Sequence, residues 1–404
     1  MVESDCLRVV VREYDDEKDC KEVVELERRC EVGPSAKLCL FTDLLGDPLC
    51  RIRNCPSFLM LVAETEVGQG GKKEIVGIVR GCIKTATCGK KLPRNPTSPY
   101  SHRPIYTKLA YILGLRVSPS HRRMKIGLKL VQKIEEWFRQ KGAEYAYMAT
   151  ESDNKASVNL FTKKCAYSKF RTPSILVQPV FAHNVRVDKR VRVIKLTPLE
   201  AESLYTRRFS TTEFFPRDIG SILNNKLNLG TFLAINSNEE WAGLGRFLSS
   251  PTMSWAVMSV WNCKDVYTLE VKGASMVRRG FCKTSRLLDR ALPWLKLPSV
   301  PDLFRPFGFH FLYGLGGNGP LAVKLTKALC GFAHNLAKEY GCGVVATEVS
   351  GNEPLMLGIP HWKKLSCADL WCIKRLLEDY SDGDVGDWTK SEPGLSIFVD
   401  PREL

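Results

Sequence analysis

Apolar positions alternate in short runs or recur every three to four residues along most of the chain, which predicts a mixed α/β protein. "LRVVVREYDDEKDCKEVVELERRCEV" (Leu7–Val32) reads as strand, turn and helix. Alternating valines give the strand, Asp15 and Asp16 suit a helix start, and Val23, Val24, Leu26 and Cys30 form a helical stripe. A loop-and-helix region, "GPSAKLCLFTDLLGDPLCRIRNCPS", follows, and then strands at Phe58–Thr65 and Glu74–Ala86 around the turn "EVGQGGKK". Cys88–Pro104, rich in proline and polar residues, predicts a long exposed loop. After it come a strand in "AYILGLRVSP", a helix over Gly127–Lys141, a strand over Ala143–Ser152 and a helix over Asn154–Cys165. Short strands through "FRTPSILVQPVF" close this half.

From Val191 the order repeats. "VRVIKLTPLEAESLYTRRF" is again strand, turn and helix; "SWAVMSVWNC" and "VYTLEVKGA" predict a strand pair; "FGFHFLYGLGGNGPLAVKLTKALCGFAHNLAKEYGCGVVATEVSGNEPL" gives strand, glycine-rich turn, long helix and strand. "GAEYAYMATESDN" matches "GCGVVATEVSGN", which places Glu348 in the position of Glu151. The expected organisation is a domain over 1–181, a connector over 182–190 and a degenerate second copy over 191–404, the two packed face to edge. The ending "WCIKRLLEDYSDGDVGDWTKSEPGLSIFVDP" predicts a strand, an acidic loop and a final strand closing a substrate cleft.

With 404 residues the chain can bury more than one core. A hydrophobic content of 44% with 25% charged residues argues against general disorder. No apolar run approaches the roughly 20 residues of a membrane helix, so no membrane association is expected. Fifteen cysteines without a CxxC pair suit reduced thiols, and six histidines without a ligand pair predict no metal site. The net charge of +15 is spread among 44 acids rather than clustered, and no helix-turn-helix or finger motif is present. Direct nucleic-acid binding is therefore not expected, and attraction to an anionic ligand accounts for the charge as economically.

The candidate chemistry lies in "HRRMKIGLKL" (His121–Leu130), a basic turn between a strand and an amphipathic helix. Amides of a first helical turn, aided by the helix dipole, favour a phosphate. Arg122, Gly127 and the later Asn154, Ser157, Leu160 and Phe161 follow "R-x-x-[G]-x-G" and "N-x-x-A-x-x-L-[YF]". In this they resemble the GNAT superfamily of acetyl-CoA-dependent N-acetyltransferases. "RRCEVGPS", "LFTDLLGDPLCRIR", "FSTTEFFPRDI", "SVWNCKD" and "SDGDVGDWTKS" resemble, over the whole chain, the plant Hookless family of N-acetyltransferase-like proteins.

The resemblance implies tandem GNAT-like acyl-CoA N-acyltransferase folds, each a mixed twisted sheet flanked by helices. It implies acetyl-CoA in a notch between splayed strands, where Leu115 and Val117 pair with the pantetheine. The amides of Arg122, Arg123, Met124, Lys125, Ile126, Gly127 and Leu128 would hold the pyrophosphate, and Asn154 the cofactor arm or the splayed strands. It also implies nuclear control of differential growth such as apical hook development. Lys125 departs from the family's first glycine; at positive φ it costs about 1–2 kcal/mol, which a contact to phosphate offsets. Phe161 stands where many GNAT enzymes carry a proton-donating tyrosine.

A lysine amine is neutral in only about one molecule in a few thousand at pH 7, so a base is required. Glu151, at a strand end, and Tyr111 are the candidates; some protein N-terminal acetyltransferases carry a catalytic tyrosine in a place like that of Tyr111. The acceptor is expected between "VGPSAKLCLFTDLL" and the Cys88–Pro104 loop. Two readings stay open: an N-acetyltransferase acting on a protein amine such as that of a histone or regulator, or a catalytically weak GNAT-fold regulator working through a protein partner or homo-oligomer.

Overall fold

The computed structural model describes residues 9–30, 39–67, 72–93, 102–249, 253–377 and 386–404. Strand β1 (Val9–Glu13) leads into α1 (Asp16–Arg29), whose start is fixed by the Asp15 carboxylate accepting from the amides of Glu17 and Lys18. β2 (Cys39–Asp43), β3 (Ser57–Val67), β4 (Lys72–Pro93) and β5 (His102–Val117) follow, then α2 (Ile126–Gln140), β6 (Tyr145–Glu151), α3 (Lys155–Asn159), β7 (Ser168–Arg171) and β8 (Ser174–Pro179). The second half holds β9 (Val191–Leu196), α4 (Pro198–Phe209), α5 (Ile219–Leu223), β10 (Asn228–Asn236), α6 (Leu244–Ser249), β11 (Trp255–Asn262) and β12 (Thr268–Lys272). It ends with α7 (Met276–Ala291), β13 (Phe309–Asn318), α8 (Ala322–Glu339), β14 (Val344–Val349) and β15 (Cys367–Arg375).

One sheet runs β1-β3-β4-β5-β6-β15-β8-β14-β13-β11-β10-β9, with β7 also on β15. Its two ends repeat one another. β5 lies parallel to β6 from Leu109↔Tyr145 to Ile112↔Met148, and β13 lies parallel to β14 from Phe309↔Val344 to Leu312↔Thr347. Gly114 at φ 60° and Gly314 at φ 61° make the same left-handed bend in β5 and β13. The middle of the sheet is an exchange: β15, from the second half, pairs antiparallel with β6, and β8, from the first, pairs antiparallel with β14. The halves therefore join edge to edge through swapped strands, not face to edge. Backbone donors and acceptors along the inner edges of β6 and β14 demand partners, and each half supplies them to the other.

Alternation along the strands builds separate cores. Ala110, Ile112, Ala146 and Met148 pack under α2, while Leu312 and Val345 pack with Leu325 and Leu329 of α8. On the opposite face Leu109, Tyr145, Tyr147, Phe311, Ala346, Trp371 and Ile373 form one core shared by both halves. Buried ion pairs stitch it: Lys84 to Glu403 at 2.6 Å, Arg402 to Asp218 at 2.6 Å, and Arg171 to Glu213 at 2.8 Å. The connector over 182–190 runs beside α8, where Val185 exchanges hydrogen bonds with Asn335.

Several expectations change. β12 pairs with β2, not with β11, because β13 takes the free edge of β11. Among its described residues, 39–57, the loop-and-helix region holds β2 and turns instead of a helix. Much of Cys88–Pro104 is a hairpin, with Lys91↔Pro104, Leu92↔Arg103 and Pro93↔His102 in register; 94–101 lie outside the described residues. The expected final strand makes only a bridge, Glu213↔Ile397, before the turn Pro401–Glu403. Residues 378–385, which hold most of the expected acidic loop, also lie outside the described residues.

Candidate active site

Beyond Ile112↔Met148 the strands β5 and β6 part, while β5 stays paired with β4 through Gly77↔Val117. Leu115 and Val117 thus line a notch on the edge of β5 that β6 has left. α2 begins at the mouth of this notch. Lys125 is its cap residue at φ 59°, makes no side-chain cap, and leaves the first-turn amides of Ile126, Gly127 and Leu128 without helical partners. Arg122, Arg123, Met124 and Lys125 are exposed. The three cations make no hydrogen bond or ion pair with the described residues, so their charge faces solvent at a helix N-terminus. Arg123, at φ 68°, is left-handed as well.

The backbone thus keeps a glycine-like bend at Lys125, so the strain of about 1–2 kcal/mol is present in the fold. Lys125→Gly is expected to raise Tm by about 1–3 °C and, with acetyl-CoA as the ligand the resemblance implies, to weaken its binding roughly tenfold by removing a charge-assisted contact. Calorimetry that showed tighter binding would mean the ammonium does not meet phosphate. Gly127 sits close to the notch: a Cβ there lies 3.4 Å from Leu160 Cδ2 and 3.7 Å from Val117 Cγ2.

Asn154 caps α3, its carboxamide oxygen accepting from the amide of Ser157 at 3.2 Å. That oxygen is engaged locally and does not bridge the splayed strands. After α3 the helix widens into a π turn over Leu160–Lys164, which buries Phe161 edge-on to Tyr167 at 5.2 Å. Tyr167 is buried beside Glu135 of α2, on the helix-covered face, so neither residue offers a proton donor to the notch.

The face opposite α2 carries the titratable groups. Tyr111 stacks on Tyr147 with ring centroids 4.5 Å apart. Burial, then the charges of Glu403 and Asp369, hold its phenol far above its ordinary pKa, so Tyr111 is a neutral donor and not a base near pH 7. Glu151 stands opposite Asp369 in the β6–β15 ladder. Burial and then Asp153 raise Glu151. Burial, followed among the raising causes by Glu151, pushes Asp369 up to about 6. Glu348 accepts from the Trp371 indole at 2.9 Å, and burial followed by Asp369 raises it well above the carboxylate range. Like charges directly opposite repel, so this group holds protons more tightly than free carboxylates do and is suited to taking one up.

Sequence matching set Glu348 in the place of Glu151, but the strand register corrects this. Leu109 faces Tyr145 and Phe309 faces Val344, so Ala149 matches Glu348 and Glu151 matches Ser350. Both carboxylates still share a face, because the displacement is two residues. Asp369 escaped the sequence reading, its one local signal being an acid inside the apolar strand "CADLWCIKR". Among the described residues the start of α8 shows no comparable group of unpaired cations: the Leu321 amide donates to Ser254, and nearby Lys324 pairs with Asp188. The expected acceptor path involves residues 31–38 and 94–101, outside the described residues.

Residues 21–167 match the Acetyltransferase (GNAT) family. The chain is 66% identical to "Probable N-acetyltransferase HLS1" of Arabidopsis thaliana, over 98% of this chain and 100% of that protein. It is 40% identical to "Acetyl transferase GW6a" of Oryza sativa subsp. japonica, over 98% and 97%. Among solved structures, Saccharomyces cerevisiae N-myristoyltransferase with bound myristoyl-CoA superimposes with a TM-score of 0.53 at 11% identity, over 90% of this chain and 82% of that one. A GCN5-related glucosamine N-acetyltransferase region of a fungal multi-domain protein gives 0.53 at 13% identity, over 90% and 38%. These two likenesses concern the fold.

Proposed function

The chain belongs to the Hookless family of N-acetyltransferase-like proteins within the GNAT superfamily, and from that premise we propose that it transfers an acetyl group from acetyl-CoA to an amine of a protein. One observation carries the reading: three unpaired cations and the uncapped amides of Ile126–Leu128 meet at the mouth of the β5–β6 notch. That donor set suits a pyrophosphate, and the unpaired edge of β5 at Leu115–Val117 suits an extended amide chain.

Bound there, acetyl-CoA would supply a thioester as acyl donor. The chain's own groups do the remaining work. Glu151, with Asp369 opposite, takes the proton that an ammonium must lose before its nitrogen attacks. Tyr111, kept neutral, donates a hydrogen bond from the same face. Neither Phe161 nor Tyr167 offers a proton at the notch, so a leaving thiolate would receive none from either, which the low basicity of a thiolate permits. Phe161 and the strained Lys125 favour the second reading, a catalytically weak regulator acting through association.

Nuclear action in differential growth belongs to the same proposal, and a fluorescent fusion excluded from nuclei would remove it. Calorimetric titration with acetyl-CoA tests the site itself. Wild-type protein should bind, and Arg122→Ala should weaken binding about tenfold through loss of a charge-assisted phosphate contact. No heat at millimolar acetyl-CoA would leave the association reading alone.

A further inference from the structure

α7 touches the body by a narrow stripe: Cys282 and Asp289 are its buried residues. Asp289 accepts from the amide of Ala182 at 2.8 Å, from the Ser299 hydroxyl and from His183 Nδ1. Facing away are Met276 at 90% exposure, Val277 at 81%, Phe281 at 67%, Leu287 at 68% and Leu288 at 46%. At about 100° per residue these five, with exposed Gly280, Thr284 and Ala291 among them, occupy an arc of about 140°, centred roughly opposite the buried stripe. Trp294 and Leu295, in the turn Pro293–Leu295 that follows, are 68% and 53% exposed. Scattered exposed leucines are ordinary; a contiguous apolar face of this width marks an interaction site. An amphipathic helix normally turns such a face to its own core. Here the core receives the opposite side.

Charge decides what fits. Exposed Lys283 and Arg290 line one margin of the apolar arc, with exposed Arg279 beyond them. The other margin begins with Ser285, and Arg278 follows beyond it toward the buried stripe. Asp289 is the helix's one acid, and it is turned inward. An anionic lipid surface would meet cations on both margins of an embedded helix. In a pairing of α7 with its own copy, no acid of α7 would be available to the cations. We propose that the outer face of α7, continued by Trp294 and Leu295, docks an amphipathic helical segment of another protein whose apolar stripe is edged on one side by Asp or Glu.

The test uses a synthetic fluorescent helix of about five turns, with leucines at i, i+3, i+4 and i+7 and glutamates along one margin, and a twin carrying lysines there. The full chain should bind the glutamate helix at least about tenfold more tightly than its twin. Phe281→Asp with Leu288→Asp should lose that binding about tenfold or more with an unchanged circular dichroism spectrum, since both side chains are exposed. Lys283→Glu with Arg290→Glu should reverse the preference between the helices. Equal affinity for both helices, no binding of the glutamate helix, or binding undiminished in the aspartate variant overturns the proposal. Phosphatidylserine vesicles, or sedimentation showing self-association, that respond to the aspartate variant while the glutamate helix does not bind would assign the face to a membrane or to a second copy instead.

Discussion

Gly127→Glu should abolish acetyl-CoA binding while leaving the fold and its Tm essentially unchanged. Gly127 is in the first turn of α2, and a Cβ there meets Leu160, Val117 and Leu115 at 3.4–3.9 Å, ordinary contact that requires no displacement. Its backbone is not left-handed, so the larger residue brings no torsional penalty. A carboxylate near a helix N-terminus adds roughly 0.3–1 kcal/mol of stability through the macrodipole, so Tm holds or rises slightly. Binding behaves oppositely. The new charge lies among the amides of Ile126–Leu128, and two like charges about 4 Å apart cost about 4 kcal/mol near a protein surface, roughly a thousandfold in affinity. Calorimetry and a thermal melt on one preparation separate the outcomes. Unchanged affinity would remove the notch assignment; a collapsed Tm would mean that the helix start cannot accept a side chain.

How far the sequence carries the reader depends on the range of the interactions involved. α2, β6 and α3 declare themselves through local periodicity, and Lys125 is visible as a residue in a position that bends like glycine. Its φ of 59° then follows from the chain path the loop must take. The exchange of β8 and β15 is a different kind of fact. A strand's alternation tells which face is buried, not which edge it joins, so nothing in "CADLWCIKR" names β6 as partner. The same limit hides Asp369, whose chemistry comes from standing opposite Glu151. It also explains the shifted matching of the two "ATE" runs: short similar sequences fix a face modulo two, while the parallel ladders fix the register.

Asp369→Asn is expected to stabilise the protein at pH 7 and, on the proposed mechanism, to lower its acetyl-transfer rate. Asp369 is buried, and its folded pKa stands at about 6 against an ordinary 3.8. For an acid whose folded pKa is raised, the favourable contribution is complete below the unfolded value and is lost as pH rises through the folded one. Between about pH 4 and 6 the wild type therefore loses stability relative to the asparagine variant, approaching about 3 kcal/mol by order of magnitude at pH 7, while below about pH 4 the two converge. Asparagine keeps the shape and ends the repulsion with Glu151 and Glu348. It also removes the carboxylate that faces Glu151 across the ladder, so the pair that receives the ammonium's proton loses one of its two carboxylates. With Glu151 still in place, a loss in kcat smaller than the about 10²–10⁴ of a missing base is expected, with KM for acetyl-CoA unchanged. The wild-type rate should climb as the Glu151–Asp369 pair loses its protons, with a step through about 6 that belongs to Asp369, and that step should be absent from the variant. Urea melts at pH 4 and 7 alongside the pH–rate profile decide the matter. Lower stability at pH 7 would show that Asp369 is held as a favourable ion, and an unshifted profile would place the base elsewhere than on the paired strands β6 and β15.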